Sequence, residues 1–224
     1  MRLRALALGL VEDLLRPISG SLGIALRRAY YRRRLKRCGS NLRIASGVYL
    51  DGPEHMSFGD WVVLDRNVII TAGPVLVDER TRTIANPNCK AMLGEVIIGD
   101  RCHLANGSIV QGHGGVSIGR AFGASAGVMI YSLSNSPTAV RGGHVDVPGY
   151  SVPRILTPVA IGNNVWLGLK AIVVGNTIGD NCFIKPLSLV TSDIPSNTIA
   201  AGVPAKPERV RFHDLEQTQP SKAG

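Results

Sequence analysis

The stretch IGNNVWLGLKAIVVGNTIGDNCFIKPLSLV, residues 161–190, places Ile161, Leu167, Val173, Ile178, Ile184 and Val190 about six residues apart. Helices repeat every 3.6 residues and strands every two, so a six-residue beat belongs to neither alone. It describes a solenoid of very short strands and turns. Each unit supplies an inward aliphatic residue, a polar corner and a small inward residue, as in Ile161-Gly-Asn-Asn-Val-Trp and Ile178-Gly-Asp-Asn-Cys-Phe. One unit cannot bury its own apolar residue, so coils must stack at the spacing of strand hydrogen bonding, roughly 4.8 Å. Three units close one triangular coil, and the pattern leaves its hand open.

The beat extends upstream. Ile98, Leu104 and Val110 lead one complete coil, and Ile118, Ala124 and Ile130 lead the next. Ile44, Leu50, Phe58, Leu64 and Ile70 suggest a first, less regular coil. The array therefore runs from about Ile44 to Pro195. A chain of 224 residues suits one domain, and 26 Gly with 13 Pro supply its corners. The four cysteines (Cys38, Cys89, Cys102, Cys182) show no metal-binding spacing. Cys102 and Cys182 share the same small inward slot, which predicts packed thiols in a reducing, cytoplasmic compartment.

Two segments, 74–96 and 136–158, interrupt the beat. The second contains TAVRGGHVDVPGYSVP, with Arg141, His144 and Asp146. Long loops on a rigid scaffold are usually functional or disordered, so these are expected to wall a site. Residues 1–38 read as a basic amphipathic helical segment, 39–211 as the solenoid domain, and 212–224 as a short flexible tail. The first 38 residues hold ten Arg or Lys against Glu12 and Asp13, a net +8 of the chain's +9. The basicity is thus a local device. It suits contact with an anionic membrane surface or packing on a neighbouring subunit. It supports nucleic-acid binding poorly, because no aromatic stacking platform accompanies it. The short apolar run between Arg4 and Glu12 does not read as a signal peptide, and no stretch is long enough to span a bilayer.

The coils, the IGNNVWLG unit and above all SLVTSDIPSNTIAAGVPAKPERV (residues 188–210) resemble the hexapeptide-repeat acyltransferases over residues 44–211. The helical start followed by CGSNLRIASGVYLDGP further resembles the branch that O-acetylates surface polysaccharides. The resemblance implies a left-handed parallel β-helix, an all-β solenoid. It also implies a homotrimer with acetyl-CoA in the groove between prisms, no metal, and a glycan or lipid-linked sugar acceptor. The expected place is the cytoplasm, at the inner face of the membrane. In many relatives the loop after the IYSLSNSP coil carries the catalytic His; here Asn135 and Ser136 stand there.

Acyl transfer from a thioester needs a base for the attacking group and a donor for the oxyanion. His103, sixth in its coil, projects outward and shares a column with Trp166, two coils and roughly 10 Å away. HLANGSIVQGHGG matches a subgroup layout that places the base at His103, so His103 is the first candidate and His113, at a Gly-rich corner, the second. Asn135, Ser136, Arg141 and His144 are candidate acceptor contacts. By resemblance, Trp166, Gly168, Ala171, Ser188, Thr191 and Gly202 flank pantetheine, and Lys206 and Arg209 suit the adenosine phosphates. Two rival readings remain: N-acetylation of a nucleotide-linked amino sugar, and a non-catalytic assembly protein. A zinc hydratase on this fold would need closely spaced His ligands, and no H-x4-H pair exists.

Overall fold

Each turn of the chain lays one strand on each of three faces in the computed structural model, which describes residues 2–136 and 153–213. Face A holds Arg37–Cys38, Met56–Phe58, Val96–Ile98, Val116–Ile118, Val159–Ile161 and Thr177–Ile178. Face B holds Arg43–Ile44, Val63–Leu64, His103–Leu104, Gly123–Ala124, Trp166–Leu167 and Phe183–Ile184. Face C holds Tyr49–Asp51, Ile69–Thr71, Ile109–Gln111, Met129–Tyr131, Ile172–Val174 and Leu189–Val190. All neighbours within these six-strand runs are parallel.

The register explains the six-residue beat. Ile44, Leu64, Leu104, Ala124, Leu167 and Ile184 stack inward on face B, and Leu50, Ile70, Val110, Ile130, Val173 and Val190 on face C. All are essentially fully buried. Burying each aliphatic side chain is worth about 1.5–3 kcal/mol. Polar corners finish the job: the Asp60 carboxylate accepts from the Ser40 amide at 2.6 Å, and the Asp180 carboxylate accepts from Asn163 at 2.6 Å. These bonds satisfy backbone groups that no strand reaches. At Gly119 a Cβ would come within 2.7 Å of the next coil's Gly162 carbonyl, so only glycine fits between those coils.

The structure departs from the sequence expectation in two places. The step from face C to face A takes eight residues in some coils, from Leu50 to Phe58 and from Val110 to Ile118. The array also starts one strand earlier, because Arg37–Cys38 pairs with Ser57 and Phe58. What read as one irregular coil is two regular ones with longer corners.

Both interruptions leave from the corner between faces C and A. Leu133–Asn135 pairs antiparallel with Arg154–Leu156, which pairs in parallel with Arg82–Thr83. The two loops therefore build one small sheet. The first loop then crosses face A, where the Lys90 amide donates to Ser117 Oγ at 3.1 Å and Asn88 Nδ2 to Thr177 Oγ1 at 3.2 Å. A cleft of about 580 Å³ lies beside this strap.

Two helices, α1 (Arg2–Leu15) and α2 (Gly20–Tyr31), cover the open end of the first coil. Arg27, counted in the sequence as part of a basic surface, is 1% exposed. Its guanidinium donates to the carbonyls of Ile44 at 3.0 Å, Leu15 at 2.8 Å and Ile18 at 2.7 Å. The Gly47 amide bonds to the Arg16 carbonyl, and the Arg16 guanidinium lies over the Tyr49 ring. One side of the helix pair thus packs on its own prism. At the other end the hairpin Thr198–Gly202 and Ala205–Val210 closes the stack on face B, its first strand parallel to Phe183–Ile184 and its second antiparallel to the first. Asn197 holds Phe212 through paired bonds of 2.9 Å, so the chain is anchored at the start of the expected tail.

Candidate active site

His103 stands on face B because strand alternation turns Cys102 and Leu104 inward and leaves the imidazole outside. Its side chain is 51% exposed, and Nε2 lies 2.8 Å from Asp65 Oδ2 on the neighbouring coil. A carboxylate that accepts a hydrogen bond from Nε2–H fixes the ring and its tautomer, leaving Nδ1 as the free acceptor. Asp65 therefore orients the imidazole. Trp61, Val63, Arg101, Cys102 and His103 line a cleft of about 440 Å³.

The outward column continues in register from His103 to Gly123, Trp166 and Phe183. Gly123 leaves a notch between the imidazole and the indole. A Cβ there would meet only Trp166 Cδ1, at 3.8 Å. The indole is held in place: Nε1 donates to Ser125 Oγ at 3.0 Å, and the ring packs on Phe183 with centroids 4.7 Å apart. Beyond Phe183 the register reaches Ile199 and then Arg209 on the closing hairpin. The face thus runs from a carboxylate-held imidazole, past an aromatic shelf, to exposed cations at Arg209 and Lys206.

His113 lies elsewhere. It sits at the corner between faces C and A, the edge opposite face B, and Nδ1 donates to the Gly73 carbonyl at 3.0 Å. Asn135 and Ser136 lie on the loop sheet at that same edge, Asn135 opposite Arg154, with the Ser136 amide bonded to the Pro153 carbonyl at 2.8 Å. Arg141 and His144 fall outside the described residues. Within one chain the structure does not bring His103 together with Asn135 and Ser136, because both loops leave from the corner that faces away from face B.

The expected donor contacts separate likewise. Trp166 is on face B and half exposed. Gly168 is buried under Pro186, and Ala171 and Ser188 point into the prism, where Ser188 Oγ accepts from the Gly202 amide at 3.2 Å. These three shape the wall from within. Thr191 lines a cavity of about 470 Å³ beside Pro87, on the far edge. Gly202, Lys206 and Arg209 are exposed on the hairpin, and neither cation forms an ion pair among the described residues. Asp65, Trp61 and Gly123 were not singled out from sequence. The signal was present, since setting the coil of Phe58 over that of Ile98 puts Asp65 two residues past the strand position of His103.

Cys102 and Cys182 are fully buried free thiols, as their slots predict, and burial pushes Cys102 up to about 11. Among the described residues no group of three or more His, Cys, Asp or Glu is placed to hold a metal ion. No helix among them is long and apolar enough to cross a membrane.

A family model described as the hexapeptide repeat of succinyl-transferase matches residues 96–112 and 158–185. The chain is 54% identical over 50 residues to galactoside O-acetyltransferase of Escherichia coli, covering 22% of this chain and 25% of that one. Such matches span about a quarter of the length of those curated relatives. A longer match, 27% identical over 181 residues, covers 80% of this chain and 84% of dTDP-4-amino-4,6-dideoxy-D-glucose acyltransferase of Escherichia coli. Among solved structures, AntD, an N-acyltransferase from Bacillus cereus held with dTDP and coenzyme A, superposes with a TM-score of 0.68 at 18% identity, over 85% of this chain and 92% of that one.

Proposed function

We propose that this chain, which matches a hexapeptide-repeat model over residues 96–112 and 158–185, is an acyltransferase that moves an acetyl group from acetyl-CoA to a sugar hydroxyl of a surface glycan or its lipid-linked precursor. One observation carries the reading: His103, held by Asp65, faces Trp166 across the notch at Gly123. A hydroxyl is a poor nucleophile until a base takes its proton in the transition state. His103 Nδ1 is that base, and Asp65 positions it and stabilises the imidazolium. No covalent enzyme intermediate is required: the hydroxyl oxygen bonds to the thioester carbon, the C–S bond breaks, and the coenzyme leaves as a thiol. The polarity of face B suits this donor, with the thioester near the base, pantetheine along Trp166, and the phosphates at Lys206 and Arg209.

The coils are taken as left-handed and the assembly as a homotrimer working in the cytoplasm. Trp166, Leu169 and Leu187 leave face B and its neighbouring edge apolar, with Leu187 68% exposed. Apposing this surface to the loop edge of the next copy closes a ring by head-to-tail contacts. It would also bring Asn135 and Ser136 of one copy toward the base of another.

A second reading, transfer to the amine of a nucleotide-linked sugar, is favoured by the span of the match to the dTDP-amino-sugar acyltransferase. The test incubates the protein with acetyl-CoA and both acceptor classes, follows thiol release, and treats the product with mild alkali. An ester is cleaved and an amide survives. Donor binding without thiol release under either acceptor would point to an assembly role and sink the enzymatic reading.

A further inference from the structure

We propose that the outward side of the α1–α2 pair docks on an anionic membrane surface. The two helices use one side only. Gly23, Arg27 and Tyr31 of α2 are buried against the first coil, and Tyr30 Oη donates to Glu12 Oε1 of α1 at 2.9 Å. On the other side Leu10 and Leu14 of α1 and Leu22 and Leu26 of α2 are exposed, Leu14 at 71% and Leu22 at 65%. Each pair sits four residues apart, so each helix presents an apolar ridge. Pairs of exposed leucines on two adjoining helices form the kind of apolar surface that marks an interaction site.

Charge identifies the occupant. Arg28, Arg32 and Arg33 lie at the end of α2 and form no ion pair among the described residues, while Arg37 acts on the Asp60 carboxylate. The acidic groups nearby are already engaged: Asp13 pairs with Arg16 at 3.1 Å, Glu12 takes the Tyr30 bond, and Glu54 pairs with Arg34 at 3.7 Å. The region therefore presents leucines rimmed by uncompensated guanidinium groups. Leucines enter the acyl boundary while arginines meet anionic headgroups, the pattern of an interfacial helix. The closing hairpin differs, since its exposed cations Lys206 and Arg209 stand near Val203 and no helix presents a leucine ridge beside them. Docking by the base of the prism leaves face B standing beside the membrane, within reach of a lipid-linked acceptor. The docking itself rests on the helix pair and not on the acyl-transfer reading.

Sedimentation of the full chain with phosphatidylglycerol–phosphatidylcholine vesicles and with phosphatidylcholine vesicles tests this. The protein is expected to pellet with the anionic vesicles only and to be released by high salt. Replacing Leu10, Leu14, Leu22 and Leu26 with Ser should abolish pelleting. Replacing Arg28, Arg32 and Arg33 with Gln should weaken it by about tenfold or more. Both variants should keep the native circular dichroism and melting temperature, because the altered side chains contribute little to the packed side. Absence of vesicle binding, equal binding to neutral vesicles, or binding unchanged in both variants overturns the proposal. A serine variant that instead lowers the particle mass in light scattering, with a native protein that ignores vesicles, assigns the face to a second copy and overturns it too.

Discussion

His103 Nε2 and Asp65 Oδ2 meet at 2.8 Å across the boundary between two adjacent coils of face B. Parallel stacking holds the pair, since Val63 and His103 are register partners and Asp65 follows two residues later. His103→Ala should lower the acyl-transfer rate by about 10²–10⁴-fold, the usual cost of a lost base. Donor affinity and assembly should persist, because the removed ring is outside the core. Asp65→Asn should reduce kcat with little change in KM for acetyl-CoA, and Asp65→Glu should recover part of it. Steady-state kinetics with both substrates varied decide the matter. A His103→Ala enzyme of near-native rate, beside an inactive His113→Ala enzyme, would move the base to the opposite edge.

Gly123 separates the imidazole from the indole without using left-handed backbone, so a side chain is tolerated there as far as strain is concerned. Gly123→Ala should fold and retain most activity, since its new Cβ sits at ordinary contact distance from Trp166. Gly123→Phe fills the notch and should remove activity while leaving the melting temperature within a degree or two of the native protein. If the Phe variant turns over normally, the reacting groups do not meet in that notch.

The solenoid was legible because each coil repeats the same demand, one aliphatic per face, and chance does not keep a dozen residues in phase. Its early coils were harder to read, since the eight-residue corners at Leu50–Phe58 and Val110–Ile118 break a strict six-residue count. The column of His103 and Trp166 followed from register alone. Asp65 did not, because it acts from the neighbouring coil, and stacking partners 40 residues apart are not adjacent in any local motif. Ala171 and Ser188 fell in matching motif positions, but whether a small residue faces in or out depends on the corner before it, which the motif does not encode. Arg27 was misread for a related reason: a helical charge looks solvated until the carbonyls that hold it are seen.

Lys36 and Glu95 tie the strand that follows α2 to the end of the first loop. The Glu95 carboxylate also accepts from the Met92 amide at 3.3 Å. The bond from Lys36 holds its pKa below the ordinary value of 4.5, with burial opposing. A lowered carboxylate stabilises the fold fully above that ordinary value and ceases to do so as pH falls through the lowered one. Glu95→Gln should therefore melt roughly 2–4 °C lower than the native protein at pH 7, for an effect of about 1 kcal/mol. The two melting curves should converge in acid, below the lowered pKa. A gap that stays constant down to pH 3 would show that the glutamate acts by packing alone.

Arg27 fills the end of the prism with a charge that burial makes costly, which lowers the pKa of the guanidinium. The cost is offset by three carbonyls, those of Ile44 on the first coil and of Leu15 and Ile18 at the turn between the helices. The same group therefore joins α1, α2 and the first coil. Arg27→Met keeps much of the apolar volume but strands those carbonyls, and an unsatisfied buried polar group costs about 1–3 kcal/mol. Lysine is no substitute, since one ammonium cannot reproduce the spread of Nε and Nη1 toward different carbonyls. Both variants should loosen the helix pair from the prism before the coils melt. Amide hydrogen exchange should show lost protection in α1, α2 and the strand Arg43–Ile44. The faces from Val96 onward should stay protected, because each coil is held mainly by its immediate neighbours. Uniform loss of protection along the whole stack would show that the helix pair is required for the solenoid itself.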